Sequence, residues 1–406
     1  MLSQQSTPVV RETLPVVGAA IGEIAEVFYA GMFDAHPELL RDLFNRGNQA
    51  NGEQQKALAG SIAAFAGLLL AHPDVRPDTM LARIANRHAS LGVTSDQYEI
   101  VHKYLFAAIG EVLGDAVTTE VAAAWDEVYW LMANALIAIE TRLYAQAGQA
   151  DAADGGTWQR MTIVERQEDS PDVVSFTLRR ADGRPCASFR PGQYVSVQAE
   201  LPDGARQIRQ YSLSGAPGRP EWRISVKRVA GGAVQPDGEV SSWLHENARA
   251  GDTLTVSAPF GDLTLSPGDG PLLLASAGIG ATPVLSMLNH LAAGGSSRPV
   301  TVVHADRTPD DHAHREELKH LVRALPDARL HLWYEEPDGQ EAEAATGLAD
   351  LDAVELPESV TAYLCGPLPF MRSLRGDLLR RGVPAQDIHY EVFGPDLWLA
   401  ASSATE

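Results

Sequence analysis

A chain of 406 residues is long enough for two or three domains, each with its own core. Its 53 acidic residues outnumber its 32 basic ones, for a formal charge of −21. A surface that acidic repels phosphate backbones, so nucleic acid is not an expected partner. Two cysteines, Cys186 and Cys365, are too few for a disulfide framework and form no Cys-x-x-Cys pair. Structural zinc and iron–sulfur ligation are therefore unsupported, and a reducing compartment is expected. No basic segment followed by an apolar run opens the sequence, because Arg11 and Glu12 interrupt the early apolar residues. The long apolar stretch at 271–288 contains Gly278, Gly280 and Pro283, which suit a strand, a turn and a helix better than a membrane span. The expectation is a cytoplasmic protein without stable membrane insertion.

Residues 1–147 carry helical periodicity throughout. Helices are expected at 9–33, 37–44, 52–71, 78–91, 95–113 and 120–146, the first broken near Gly18 and Gly22. Unequal lengths and short connections suggest an orthogonal all-α domain, not a regular four-helix bundle. In the 78–91 segment Leu81, Ile84, Ala85, His88 and Leu91 share one face, and Gly92 supplies a stop. An imidazole inside an apolar stripe needs a partner. It is either a core histidine bonded to a carbonyl or an axial haem ligand. Gln54 and Leu58 stack on one helical face, and Ser61, Ile62 and Phe65 continue it.

Residues 148–157 have no periodicity and read as a linker. Residues 158–266 then show period-two patterning, with strands expected at 172–179, 193–199, 222–229 and 253–257, as in a small antiparallel barrel. Within it, Arg209-Gln210-Tyr211-Ser212 sets an arginine and a tyrosine two residues apart, on one side of a strand. An arginine suits a phosphate and a tyrosine ring suits a flat heterocycle, though an exposed strand with an Arg–Tyr contact explains the letters too. Residues 267–406 alternate short apolar strands (272–276, 301–304, 330–334, 362–365) with helices (283–291, 311–325, 368–381), the pattern of a doubly wound parallel sheet. Gly278-Ile279-Gly280-Ala281-Thr282-Pro283 follows the first of these strands and opens a helix, where glycines let the backbone approach a pyrophosphate. Cys365-Gly366-Pro367 ends a later strand, and Cys365 taken alone is a small buried residue, not a nucleophile.

The run Phe28-Tyr29, Met32-Phe33, Pro37-Glu38-Leu39, Phe44-Asn45, Asn48-Gln49, Asn51-Gly52-Glu53-Gln54 and Ala57-Leu58, with His88 and Gln97-Tyr98, resembles the globin domain of flavohaemoglobins. The resemblance implies that His88 is the proximal iron ligand of one haem b. It places Tyr29, Gln54 and Leu58 in the distal pocket and Phe44 against the porphyrin. It makes Glu140 and Tyr98 a hydrogen-bonded network behind His88. Sequence alone would leave Glu140 a solvated helix residue beside Arg142. Arg87 stands where the family is expected to have a lysine, and a role toward the flavin survives with altered geometry.

The P-G-Q-Y run ending at Tyr194, the Arg209–Ser212 motif and the Gly278–Pro283 turn are similar to the reductase module of the same family. That similarity implies one FAD, with Arg209 on its pyrophosphate, Tyr211 on the isoalloxazine, Ser212 near N5, Tyr194 enclosing it and Gln210 in the same motif. Val392-Phe393-Gly394-Pro395 would cover the flavin and Glu391 would tune it. Residues 278–283 and 365–367 would take NADH or NADPH. The 231–238 loop is longer than the family leads one to expect.

Three modules in this order over nearly the whole chain imply a nitric oxide dioxygenase: NO and O2 become nitrate with electrons passed from NAD(P)H through FAD to haem. A monomer is expected. The alternatives left open are an O2- or NO-binding sensor with a maintenance reductase, a reductase for an external acceptor, and a helical adaptor without haem. Asp306 and Arg307 push the choice between NADH and NADPH in opposite directions.

Overall fold

The computed structural model describes residues 1–148, 157–232, 236–337 and 344–394. Most of the expected linker, the middle of the 231–238 loop and Pro395 lie outside the described residues. The chain divides into two compact units, one of residues 1–158, 200–209 and 394–406, the other of residues 159–199 and 210–393.

The first unit is built on α1 (Ser6–Ala35), α2 (Pro37–Asp42), α3 (Arg46–Ala50), α4 (Glu53–Ala71), α5 (Asp78–Leu91), α6 (Gln97–Leu113) and α7 (Thr119–Gln146). Local chemistry sets most of the boundaries. Pro37 opens α2. The Asn45 side chain accepts from the backbone N–H groups of Gly47 and Asn48 at the start of α3. Thr118 caps α7, and Gly92 ends α5 in the left-handed conformation.

The expected break in the first helix does not occur: α1 is continuous through Gly18 and Gly22, with Pro15 inside it. A helical glycine costs only about 1 kcal/mol. Burial of Val10, Val17, Ile24, Phe28, Tyr29 and Met32 along one face outweighs that, at roughly 1.5–3 kcal/mol per large side chain. By length and composition α1 could cross a membrane, yet it packs against α4, α6 and α7 as a core helix. The short α3 had no periodic signal, being a single turn of polar residues.

The antiparallel sheet comprises β1 (Trp158–Ser170), β2 (Val173–Arg180), β3 (Tyr194–Glu200), β4 (Arg206–Ser212), β5 (Trp222–Lys227) and β6 (Thr253–Ser257), with α8 (Glu239–Asn247) before the last strand. The strand order is β4-β3-β6-β1-β2-β5. An antiparallel bridge from Leu213 to Ile224, with Ser214 N–H donating to the Arg223 carbonyl at 2.8 Å, joins the two ends and closes the sheet into the expected barrel. Two elements escaped the sequence reading. β1 is charged along much of its length and buries few apolar side chains, and α8 is short and rich in serine.

The parallel sheet runs β10-β9-β8-β7-β11-β12. Its strands are β7 (Leu272–Ala277), β8 (Val300–Asp306), β9 (Ala328–Tyr334), β10 (Ala345–Thr346), β11 (Thr361–Cys365) and β12 (Ile388–Glu391). The helices are α9 (Ala281–Ala293), α10 (Arg315–Ala324) and α11 (Leu368–Arg380). α10 starts four residues later than the pattern at 311–325 suggests, because His314 sits at a positive φ of 61° and ends the turn before it. Strand order reverses between β7 and β11, the place where such sheets open a ligand crevice.

Candidate functional site

His88, on α5, faces a cavity in the first unit that is also lined by Tyr29, Phe44, Gln54, Leu58, Ser61 and Ile62. Phe65, expected on the same face, is instead buried in the core behind it. The His88 ring is held from behind. Nδ1 lies 2.9 Å from Glu140 Oε1 and 3.0 Å from the Tyr98 hydroxyl oxygen, and that hydroxyl donates to the same Glu140 oxygen at 2.6 Å. The carboxylate is an acceptor only and accepts the Tyr98 hydroxyl's hydrogen bond, so Nδ1 carries the hydrogen it shares with both. That tautomer leaves the Nε2 lone pair for a ligand on the cavity side.

Glu140 is 3% exposed, which settles its alternatives: it is not a solvated helix residue. Arg142, the neighbour that could have neutralised it, lies 3.9 Å from Asp78 instead. Burial, and then the Glu140 charge, push the Tyr98 phenol far above its ordinary pKa, so its hydroxyl stays a donor. The Tyr129 hydroxyl donates to the Tyr98 carbonyl at 2.6 Å, and that of Tyr144 to the Val93 carbonyl at 2.8 Å, which fixes the α6 start and the turn before it.

Across the cavity Tyr29 is 4% exposed. Burial pushes its phenol well above the ordinary value against the opposing pull of Gln54 and Gln49. Its ring sits edge-on to Phe44 with centroids 5.9 Å apart and stacks on Phe33 at 5.6 Å. These contacts aim a protonated hydroxyl from an otherwise apolar wall. An apolar cavity lined by an imidazole nitrogen free to ligate and by a phenol fits a haem held through His88.

Arg87 also lines the cavity, and its Nη1 donates to the carbonyl of Gly394, one of the residues expected at the flavin. Two positioning residues were given no role of their own in the sequence. Gln49 reaches Tyr29 from the α3 turn. Gln207, fully buried on β4, donates from Nε2 to the carbonyls of Leu40 (3.2 Å), Arg41 (3.0 Å) and Phe44 (3.2 Å), so it holds the corner that presents Phe44. A lone glutamine in a strand carries no signal of that kind, since its partners are backbone groups about 160 residues away.

The flavin motif lies on β4 as expected. Arg209 donates from Nη1 to the Ile208 carbonyl (2.8 Å) and Gln207 Oε1 (3.3 Å), and Gln210 donates to Ser196 Oγ (3.3 Å). Tyr194 is 6% exposed, and its backbone exchanges two hydrogen bonds with Phe260. Ser212 Oγ is buried with no protein partner, as is Ser242 Oγ in the first turn of α8. Two hydroxyls with donors to spare fit an FAD lying along this barrel. Val392 and Glu391 are buried while Phe393 is 47% exposed.

At the parallel sheet Gly278 takes a φ of 53°, and a Cβ on Gly280 would meet the Cys365 carbonyl oxygen at 2.3 Å. Only glycine lets the turn after β7 lie against the end of β11. Thr282 donates to the Ile279 carbonyl at 2.9 Å and tightens the turn, while Ala281 and Pro283 continue it into α9. Burial pushes the Cys365 thiol well above its ordinary pKa, with the Glu391 charge adding to it, so a structural role stands. Gly366 and Pro367 lead from it into α11.

Comparison with known proteins converges on one family. The globin family model matches residues 26–136, the oxidoreductase FAD-binding domain residues 160–265 and the oxidoreductase NAD-binding domain residues 274–376. The flavohemoprotein of Rhizobium meliloti is 42% identical over 98% of this chain and all of its own length. The chain belongs to the flavohaemoprotein family. The Bordetella pertussis flavohemoprotein is 43% identical over 97% of this chain and 99% of its own. The crystal structure of the flavohemoglobin from Malassezia yamatoensis, with bound FAD and heme, superposes with a TM-score of 0.87 at 38% identity, covering 97% of this chain and all of that one. The FAD/NAD-binding domain of the nitric oxide dioxygenase from Vibrio cholerae covers 58% of this chain and 99% of that chain, at 37% identity and a TM-score of 0.55. This flavohaemoprotein is thus an oxidoreductase with haem, FAD and NAD(P)H as its cofactors, and electrons pass from NAD(P)H through FAD to haem.

Proposed function

We propose that this flavohaemoprotein is a nitric oxide dioxygenase, converting NO and O2 to nitrate at the expense of NAD(P)H. The observation that carries the reading is the pairing in one cavity of an anion-backed proximal histidine with a buried distal tyrosine whose phenol burial holds well above its ordinary pKa. The name of the Vibrio cholerae protein, whose reductase domain is 37% identical to this one, supports it.

Bound to His88, haem supplies reversible O2 binding and one-electron chemistry, fed by FAD splitting the electron pair of a hydride. The chain's residues do the rest. Glu140 and Tyr98 fix the tautomer and orientation of His88 and raise the basicity of Nε2. The Tyr29 hydroxyl donates a hydrogen bond toward the distal ligand, an interaction that strengthens as the ligand gains negative charge. Gln54 and Gln49 hold that hydroxyl in place. Leu58, Ile62 and Phe44 give the cavity an apolar lining around the distal ligand. The test is NO consumption by the haem- and FAD-loaded chain in air-saturated buffer with excess NADH. Catalytic loss of NO matched by nitrate is expected, and loss that stops after one turnover would overturn the assignment in favour of a sensor. Activity with an external acceptor that persists in His88→Ala would assign the chain to the reductases instead.

A further inference from the structure

The sequence places an acid and a base side by side where the parallel sheet must choose its nucleotide, and the structure separates their roles. Asp306 is the last residue of β8 and pairs with Tyr334 of β9, while β7 ends one residue earlier, at Ala277 beside Ala305. With a pyrophosphate at the turn after the first strand, the end of the second strand lies under the adenosine ribose. A carboxylate there accepts from a 2′-hydroxyl, and an arginine binds a 2′-phosphate.

Arg307, its side chain 66% exposed, is engaged elsewhere. Its Nε and Nη2 donate to the two oxygens of Asp311 at 3.0 and 2.9 Å, a bidentate pair. Asp311 is itself fixed. Its side chain is 12% exposed, the Thr308 hydroxyl donates to Oδ2 at 2.7 Å, and its own N–H donates back to that hydroxyl at 3.2 Å. Around the pair the charge is negative. Glu335 and Glu336 donate their backbone N–H groups to the carbonyls of Asp306 and Arg307, which brings two more acids alongside. Asp172 and Glu336 act on Arg307 electrostatically, and Lys227 is 3.2 Å from Asp172. A 2′-phosphate carrying about −1.5 to −2 charges would meet these carboxylates and an arginine already paired with one of them.

We propose that Asp311 sets the electron donor of this protein to NADH, by holding Arg307 away from the site where a 2′-phosphate would bind while Asp306 serves the 2′-hydroxyl. The inference rests on the reading of the parallel sheet as the NAD(P)H site. Asp311 is a positioning residue that acts through Arg307, and the selection sits in binding and not in hydride transfer.

The test uses the full chain loaded with haem and FAD. Anaerobic stopped-flow reduction of FAD gives kcat/KM for NADH and NADPH, and calorimetric titration with 5′-AMP and 2′-AMP reads the adenosine site directly. The wild type is expected to favour NADH by about tenfold or more, through KM, and to bind 5′-AMP more tightly than 2′-AMP. Asp311→Asn releases Arg307. It is expected to move the NADPH/NADH ratio about tenfold toward NADPH, by lowering the KM for NADPH, and to tighten 2′-AMP. Asp311→Glu, which restores an anion, is expected to return the ratio toward wild type, and adding Arg307→Ala to Asp311→Asn is expected to abolish the gain. A gain in NADPH use is a change that misfolding does not produce. A wild type that prefers NADPH overturns the proposal, and so does a ratio that moves less than threefold in Asp311→Asn. Because the readouts are nucleotide binding and FAD reduction, a chain that passes these tests yet fails to consume NO would sink the dioxygenase reading alone.

Discussion

Replacing Glu140 by glutamine keeps the shape of the side chain and removes its charge. The Nδ1–H of His88 and the Tyr98 hydroxyl then meet a neutral amide oxygen in place of a carboxylate at 2.9 and 2.6 Å. A hydrogen bond to a charged group contributes about 1.5–3 kcal/mol and a neutral one about 0.5–1.5, so about 1–1.5 kcal/mol of the stabilisation that a developing positive charge on the imidazole receives is lost. Oxidised iron draws more on that donation than reduced iron. Glu140→Gln is therefore expected to favour the reduced form. With tenfold in equilibrium equal to 1.36 kcal/mol and to 59 mV for one electron, the haem midpoint potential should rise by about 45–65 mV. The assay is a spectroelectrochemical titration of the Soret band in the haem-loaded chain, with far-UV circular dichroism to show that the seven-helix unit is intact. Haem transfer to a scavenging apoprotein should also quicken, in line with the roughly 10–100-fold losses seen when the partner of a ligating histidine is removed. A folded variant whose potential stays within about 10 mV of wild type would refute the account of Glu140 as the electrostatic backing of His88.

Other consequences are as direct. Tyr29→Phe removes a hydroxyl of the distal wall, so O2 release should accelerate by about 10–100-fold and nitrate formation should fall, as read by laser-flash or stopped-flow exchange. Because burial raises the Tyr29 pKa, the donor form persists as pH rises, and wild-type O2 release should show no alkaline rise between pH 6 and 10. Gly280→Ala puts a methyl 2.3 Å from the Cys365 carbonyl oxygen, so FAD reduction by NADH should slow at least tenfold while haem and FAD loading are retained. Glu317 sits against Arg223, with N–O distances of 2.9 and 2.8 Å, and its pKa falls from 4.5 to about 2 despite partial burial, chiefly through hydrogen bonds from His314 and Arg223. A depressed folded pKa contributes stability that is present above pH 4.5 and lost as pH falls toward 2, about 3 kcal/mol at most. Urea melts of Glu317→Gln and wild type should therefore differ at pH 7, differ by roughly half as much at pH 3 and converge toward pH 2, and a gap that is unchanged at pH 3 would count against the pair.

Much of this protein is legible in one dimension because the signals are local. Helical periodicity, Gly92, the turn at residues 278–283 and the period-two strands follow from backbone geometry within a few residues. A family resemblance then supplied His88, Tyr29 and the Arg209–Ser212 motif with roles that no spacing could give. What the sequence left open was decided by distance in space. Glu140 reads as a solvated helix residue until the fold brings it within 2.9 Å of a histidine 52 positions earlier. Gly18 and Gly22 read as a break until α4, α6 and α7 cover the helix that contains them. Gln207 is silent until Leu40, Arg41 and Phe44 turn their carbonyls toward it. Asp306 and Arg307 pull in opposite directions until Asp311, fixed by Thr308, takes the guanidinium out of contention. The physical reason is the same each time. Backbone propensity acts over one turn or one strand, whereas burial and pairing of charge depend on which distant groups share a low-dielectric space.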